Sequence, residues 1–150
     1  MKAWLMALLF MVGLVLPVAA ATPVKITADQ FSIAEDAGTA TFVGNVVVTR
    51  GDLTLTAEKV VVYYAAGGGG DVDRMVATGR VHVNTSGQKA SGDTADFDPA
   101  SQQIRLSGNV QVINAQGTMN GPELLIDLGQ KSSTFSSGKG GRVSGVFTPK

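Results

Sequence analysis

Apolar and polar residues alternate along most of this chain. Between residues 40 and 50 the even positions hold alanine, phenylalanine, glycine and two valines, and similar alternation follows at 53–57, 80–84, 103–106 and 124–128. A period of two is typical of strands with one buried face, and valine and threonine favour strands. Because no helical period stands out after residue 21, the chain is predicted to be all-β.

Residues typical of tight turns separate these alternating segments. Glycine, asparagine, aspartate, serine and proline occur at 35–38, 50–52, 85–87, 98–99 and 114–117. Glycine supplies positive φ, proline fixes φ, and short connections between strands favour antiparallel hairpins. The glycine run Gly67–Gly70 is interpreted as a loop tip or an insertion in one hairpin.

A glycine-centred unit recurs at intervals of 35, 29 and 33 residues. It reads Gly44-Asn45-Val46, Gly79-Arg80-Val81, Gly108-Asn109-Val110 and Gly141-Arg142-Val143. Repeats of this length indicate one supersecondary unit stacked on its neighbours, and a strand glycine often marks a bend. We therefore expect a sheet that turns a corner at the same level in each repeat, giving an elongated sandwich or jelly roll with one apolar trough.

The first 21 residues have the order of a secretory signal peptide. Lys2 is followed by a short apolar run to Leu16, a proline, and small residues up to Ala21. This order predicts cleavage after Ala20 or Ala21 rather than a retained membrane anchor. Residues 22–150 are then predicted to form a single domain.

The composition gives little indication of an enzyme active site or a metal site. The chain has no cysteine and one histidine, His82, on the outward parity of a strand, and neither Gly67–Gly70 nor 137–141 has the pattern of a phosphate-binding loop. No metal, cofactor or catalytic residue is predicted. Without Lys2 the chain carries 11 basic and 12 acidic residues, which gives no basic footprint for nucleic acid.

Four segments, taken together in order and spacing, resemble the LptA/OstA-like family of periplasmic lipopolysaccharide-transport proteins. They are residues 26–29 (Ile-Thr-Ala-Asp), 42–46 (Phe-Val-Gly-Asn-Val), 106–110 (Leu-Ser-Gly-Asn-Val) and the ending 141–149. The resemblance spans about Val24 to Pro149. It implies a slightly twisted antiparallel β-jelly roll, open at both ends, in the periplasm. It also implies a bridge that carries lipopolysaccharide from the inner to the outer membrane for outer-membrane assembly.

The resemblance implies that lipid A acyl chains occupy the interior of the roll. The inward parity of the strands supplies the candidate lining, which is Phe42, Val46, Val48, Leu53, Leu55, Val60, Val62, Val81, Val83, Phe97, Ile104, Leu106, Val110, Val112, Leu124 and Ile126. The alternation itself fits both an open trough and a fully packed core.

The two ends of the domain are the candidate contact edges for protein partners. The residues are Val24, Ile26, Phe31 and Ile33 at one end, and Val143, Val146 and Phe147 at the other. Added strands would pair with unprotected edges by backbone hydrogen bonds. The resemblance implies head-to-tail self-association, an inner-membrane LptC-like partner at the first edge and an outer-membrane LptD-like partner at the second.

Two classes of function remain open from the sequence. One is the lipid-transport bridge, and the other is a structural adaptor that joins envelope proteins by edge pairing and has a filled interior.

Overall fold

The structure is a computed structural model that describes residues 23–66, 70–138 and 140–149. These ranges contain strands and turns and no helix, so the all-β prediction is confirmed. The strands are β1 Lys25–Thr27, β2 Gln30–Ala34, β3 Thr39–Arg50, β4 Leu53–Tyr64, β5 Val72–Thr85, β6 Gln88–Asp98, β7 Gln103–Asn114, β8 Gly117–Asp127, β9 Ser132–Ser136 and β10 Ser144–Phe147. The predicted signal peptide and residues 67–69 of the glycine run lie outside the described ranges.

All ten strands belong to one antiparallel sheet that does not close on itself. The central order is β3-β4-β5-β6-β7-β8. Short hairpins at the predicted turn residues join these strands, except that β4 and β5 are joined by residues 65–71, which include the glycine run. Strands β1 and β2 both pair with β3, β1 with its C-terminal half and β2 with its N-terminal half. In the same way β9 and β10 pair with different halves of β8. The sheet therefore ends in two edges, each made of two short strands.

Each of the first three glycine-centred units is a corner where a long strand bends. Gly44, Gly79 and Gly108 all have φ between 80° and 86°, and the residue after each also has positive φ. Pairing shifts register at these positions in every central pair of strands. Such bulges add twist and redirect a strand, so the repeat predicted from the sequence does mark a corner at one level.

An acidic side chain from the preceding repeat packs against each of these corners. These side chains are Asp29 at Gly44, Glu58 at Gly79 and Asp93 at Gly108, and a Cβ on any of these glycines would lie 3.0 Å or less from the acidic residue's own Cβ. At the fourth unit, which precedes β10 and lies outside any strand, Pro122 takes the acidic position beside Gly141, whose φ is 95°. Glycine is therefore required both by the backbone angle and by close contact.

Apolar side chains from both halves of the bent strands meet in one core, which gives the two-layered jelly roll its interior. Buried polar or charged side chains are absent from the part of the chain described.

The second edge was expected at 142–147, whereas β10 begins at Ser144 and Val143 lies just before it. Strand β9 was not predicted, because this serine-rich strand has one large apolar residue, Phe135.

Candidate functional site

The sixteen residues proposed to line the interior all point into it. Fourteen are buried, with at most 7% of the residue exposed: Val46, Val48, Leu53, Leu55, Val60, Val62, Val81, Val83, Ile104, Leu106, Val110, Val112, Leu124 and Ile126. Phe42 and Phe97 are partly buried and pack against the same cluster. Their position follows the predicted inward parity, while their contact with lipid remains a prediction.

Six further core residues were missing from the sequence-based set. They are Ala40, Ala57, Met75, Ala77, Ala90 and Ala95, each at most 7% exposed. Most are alanines, which are too weakly apolar to identify a buried face on their own. Their place in the alternating pattern identifies them. Ala57 continues the inward-facing positions of Leu53 and Leu55, and Ala77 precedes Val81 and Val83 across the corner. Small side chains at these positions leave space between the two layers.

That space includes a small apolar cavity of about 30 Å³, which we call the inner cavity. Its walls come from both layers, with Val48, Leu53 and Leu55 facing Val60, Ala77 and Ile104. Arg50 is the single charged residue among those that line it. Apart from Arg50 the lining is therefore apolar, and a small volume between the layers is unfilled.

A second cavity of about 360 Å³, here called the entrance, adjoins the inner cavity. The two share Val24, Arg50, Met75 and Phe97, and the entrance adds residues of β1, β3, β4 and β5 such as Ile26 and Phe42. Because Val24 and Ile26 belong to the first edge of the sheet, the entrance places the apolar interior in reach of solvent at that end.

A polar cleft of about 490 Å³ lies where the hairpin tips of one layer approach the other layer; we call it the seam cleft. Gln88 crosses the seam by donating a hydrogen bond from Nε2 to the hydroxyl of Ser133, at 3.3 Å. Beside it the Ser86 hydroxyl donates to Asp52 at 2.5 Å, and this hydrogen bond is the main cause of the lowered pKa of Asp52. The open side of the roll is thus polar outside and apolar beneath.

Both edges expose large apolar side chains. Of the seven residues assigned to partner edges, six are exposed, namely Val24, Phe31, Ile33, Val143, Val146 and Phe147, and Ile26 is partly buried against the core. Phe31 and Ile33 pair with the inward-facing Phe42 and Ala40, so the apolar interior continues to the end of the sheet without a cover. Exposed apolar residues at an unpaired edge are typical of an interaction surface.

The outward face of the sheet is polar and carries ion pairs. Arg74 pairs with Asp96, which raises the pKa of the guanidinium, and Arg105 pairs with Glu123. His82 is exposed on this face. In the ranges given above, no three or more His, Asp or Glu side chains are grouped in a way that could hold a metal ion. The same ranges hold no helix with the length and apolar character needed to cross a bilayer.

The fold and the interior together define a class, the open β-jelly roll with an apolar space between its layers. Residues 25–132 match the family model described as LptA/(LptD N-terminal domain) LPS transport protein, and the chain belongs to this family. The family consists of transport proteins, so the chain is not an enzyme. Both the family and the β-jelly roll expected from the sequence are confirmed.

Named relatives agree with the family match. The chain is 27% identical to the lipopolysaccharide export system protein LptA of Escherichia coli K12 over 85% of its length and 71% of the relative's. It is 29% identical to an uncharacterized protein of Rhizobium meliloti, covering 85% of this chain and 72% of that one. The crystal structure of LptH, the LptA homologous periplasmic component of the lipopolysaccharide transport device of Pseudomonas aeruginosa, shares the fold. Its TM-score is 0.73, with 20% identity, over 85% of this chain and 96% of LptH.

Proposed function

We propose that this protein binds lipopolysaccharide in its apolar interior and carries it through the periplasm from the inner to the outer membrane. The observation that carries the proposal is the inner cavity, which is apolar on both walls and continuous with the entrance at the first edge. Relatives named as lipopolysaccharide export proteins, and the description of LptH as a periplasmic transport component, support the same function.

The physical reason is the cost of acyl chains in water. Burial of a methylene group is worth about 0.8 kcal/mol, so an interior that accepts several methylenes offsets part of the cost of leaving a bilayer. The inner cavity is too small for whole acyl chains, so the two layers would have to separate around them, which a sheet that does not close on itself permits. The sugar part of the lipid, being polar, would remain at the seam or outside.

Site-specific crosslinking tests this binding mode. A photoreactive amino acid at Val48, which lines the inner cavity, is expected to capture lipopolysaccharide in cells. The matched control is Val43, a valine of the same strand that faces outward and is 40% exposed. Capture at Val43 equal to that at Val48, or capture at neither position, would contradict binding in the interior. A folded protein that joins its partners without capturing lipid would instead favour the adaptor function.

We also propose that the two edges join the protein into a bridge. In this arrangement the β1/β2 edge meets an inner-membrane LptC-like protein, the β9/β10 edge meets an outer-membrane LptD-like protein, and copies of the chain associate head to tail. The exposed Phe31 and Ile33 on one edge and Val146 and Phe147 on the other support this arrangement. Head-to-tail contacts need not close, so filaments are expected.

Sedimentation over a range of concentrations tests the edge contacts. Val146 is 69% exposed on β10, and a charge at an edge strand opposes pairing. We expect Val146→Lys to weaken self-association about tenfold, which corresponds to about 1.4 kcal/mol, and deletion of 138–150 to weaken it further. The control is Ile113→Lys, an exposed apolar residue of a central strand. Equal effects of the two lysines, or unchanged sedimentation of the deletion, would refute the edge contacts.

A further inference from the structure

Arg50 occupies an unusual position for a charged residue. It follows Val46 and Val48 on the inward-facing parity of β3, is partly buried, and is the single charged residue lining the inner cavity. Arg50 also lines the entrance and the seam cleft. Its side chain therefore lies where the apolar interior and the polar seam meet.

The guanidinium of Arg50 has no carboxylate partner in the part of the chain described. The ion pairs found there belong to Arg74, Arg80 and Arg105 on the outer surface, and none involves Arg50. A partly buried cation without a counter-ion is unfavourable, and the five N–H donors of a guanidinium are arranged to bind planar or tetrahedral oxyanions.

The two carboxylates that line the seam cleft both accept hydrogen bonds from uncharged groups. Asp52 accepts the Ser86 hydroxyl, and Asp127 accepts the backbone N–H of Gln130 at 2.9 Å together with the side chain of Gln103 at 3.3 Å. Lys131 lines the same cleft, and its charge contributes to the lowered pKa of Asp52. The cleft thus holds a second cation, close to Asp52, in addition to Arg50.

We propose that Arg50, assisted by Lys131, binds the phosphate of an anionic amphiphile whose acyl chains pass through the entrance and lie between the two layers. This inference rests on the proposed function and adds to it the chemistry of the head group and the residues that recognise it. The apolar walls select chains, while the guanidinium at the rim selects a phosphate-bearing head group over a neutral one and fixes which end of the ligand lies at the seam.

Displacement of a neutral naphthylamine dye from the purified protein tests the proposal. The competing ligands are dodecyl phosphate, dodecyl maltoside and inorganic phosphate. The two dodecyl ligands are each used below their critical micelle concentration. We expect the wild-type protein to bind dodecyl phosphate more tightly than dodecyl maltoside and not to respond to inorganic phosphate alone. Arg50→Gln should weaken dodecyl phosphate binding about tenfold, as expected for a lost charge-assisted hydrogen bond, and leave dodecyl maltoside unchanged. Arg50→Lys should give an intermediate loss.

The matched control is Arg80→Gln, because the Arg80 side chain is 86% exposed at an outer corner and lines none of the three spaces. If Arg50→Gln weakened binding of both dodecyl ligands equally, or of neither, the inference would be overturned, while the proposed lipid-binding function would stand. Displacement by inorganic phosphate as strong as that by dodecyl phosphate would assign the site to a free anion and overturn it too. Failure of both dodecyl ligands to bind the wild-type protein would overturn the proposed function together with this inference.

Discussion

Replacement of Gly108 by alanine tests whether the corners determine the stability of the jelly roll. Gly108 has φ of +80°, and a Cβ placed on it would lie 2.8 Å from the Cβ of Asp93. That atom is fixed to the backbone of β6 and cannot rotate away. The substitution therefore combines an unfavourable backbone angle with an overlap that requires the two strands to separate.

The two contributions can be given approximate magnitudes. A left-handed backbone angle costs a non-glycine residue roughly 1–2 kcal/mol, and overpacking in a close-packed region costs roughly 1–3 kcal/mol. Gly108→Ala should therefore lower the free energy of unfolding by about 2–5 kcal/mol. Gly87 provides a matched control, because its φ is +83° and a Cβ added there would have no atom within 4 Å. Gly87→Ala should cost about 1–2 kcal/mol.

Urea unfolding followed by far-ultraviolet circular dichroism measures both variants. The difference between them isolates the contact with Asp93, because the backbone angles are nearly equal. A Gly108→Ala protein as stable as the Gly87→Ala protein would refute the reasoning, since the corner would then tolerate a side chain that the geometry excludes.

Three further predictions concern acid stability, the core and export. Hydrogen bonds from the Gln130 backbone and the Gln103 side chain lower the pKa of Asp127 in the folded protein. The ionised carboxylate therefore stabilises the fold at any pH above the unfolded-state pKa. This stabilisation is lost as the pH falls through the folded-state pKa. Asp127→Asn should accordingly melt lower than wild type at neutral pH, with the difference vanishing in acid; a constant difference would contradict this. Leu106 is fully buried, so Leu106→Ala should lower the free energy of unfolding in urea by about 2–5 kcal/mol. A loss smaller than that caused by an alanine substitution at an exposed position would count against a packed core around Leu106. Because Trp4 is the sole tryptophan, protein purified from the periplasm should lack tryptophan fluorescence, and its presence would argue against cleavage.

The period-two alternation predicted most of the large apolar residues that face inward, and missed the buried alanines and Met75. Large residues such as Val46 and Leu106 occur at every second position on strands with one buried face, and burial of these side chains dominates folding. The regular return of glycine also predicted the corners. What the repeat did not reveal is that Asp29, Glu58 and Asp93 pack on the corner of the next repeat, because that contact depends on strand register across the bulge.

Edges and cavities were harder to predict for physical reasons. Strand β9 pairs on one side and buries little, so its sequence needs few apolar residues, and Phe135 alone gives no alternation. The inner cavity depends on the distance between two layers and on the small side chains of Ala77 and Ala95. Sequence parity gives the direction of a side chain but not the space in front of it. Arg50 shows the same limit, because its importance emerges from the three spaces that it borders.

Equilibrium titration of purified protein with lipopolysaccharide tests the central claim most directly, with wild type compared to Ala77→Leu. Ala77 is 4% exposed and lines the inner cavity, so a leucine there fills space that an acyl chain would use. We predict saturable uptake of about one lipid per wild-type chain and clearly weaker uptake by Ala77→Leu, with far-ultraviolet circular dichroism verifying that both proteins are folded. Equal uptake by both proteins, or none by either, would contradict a lipid-binding interior.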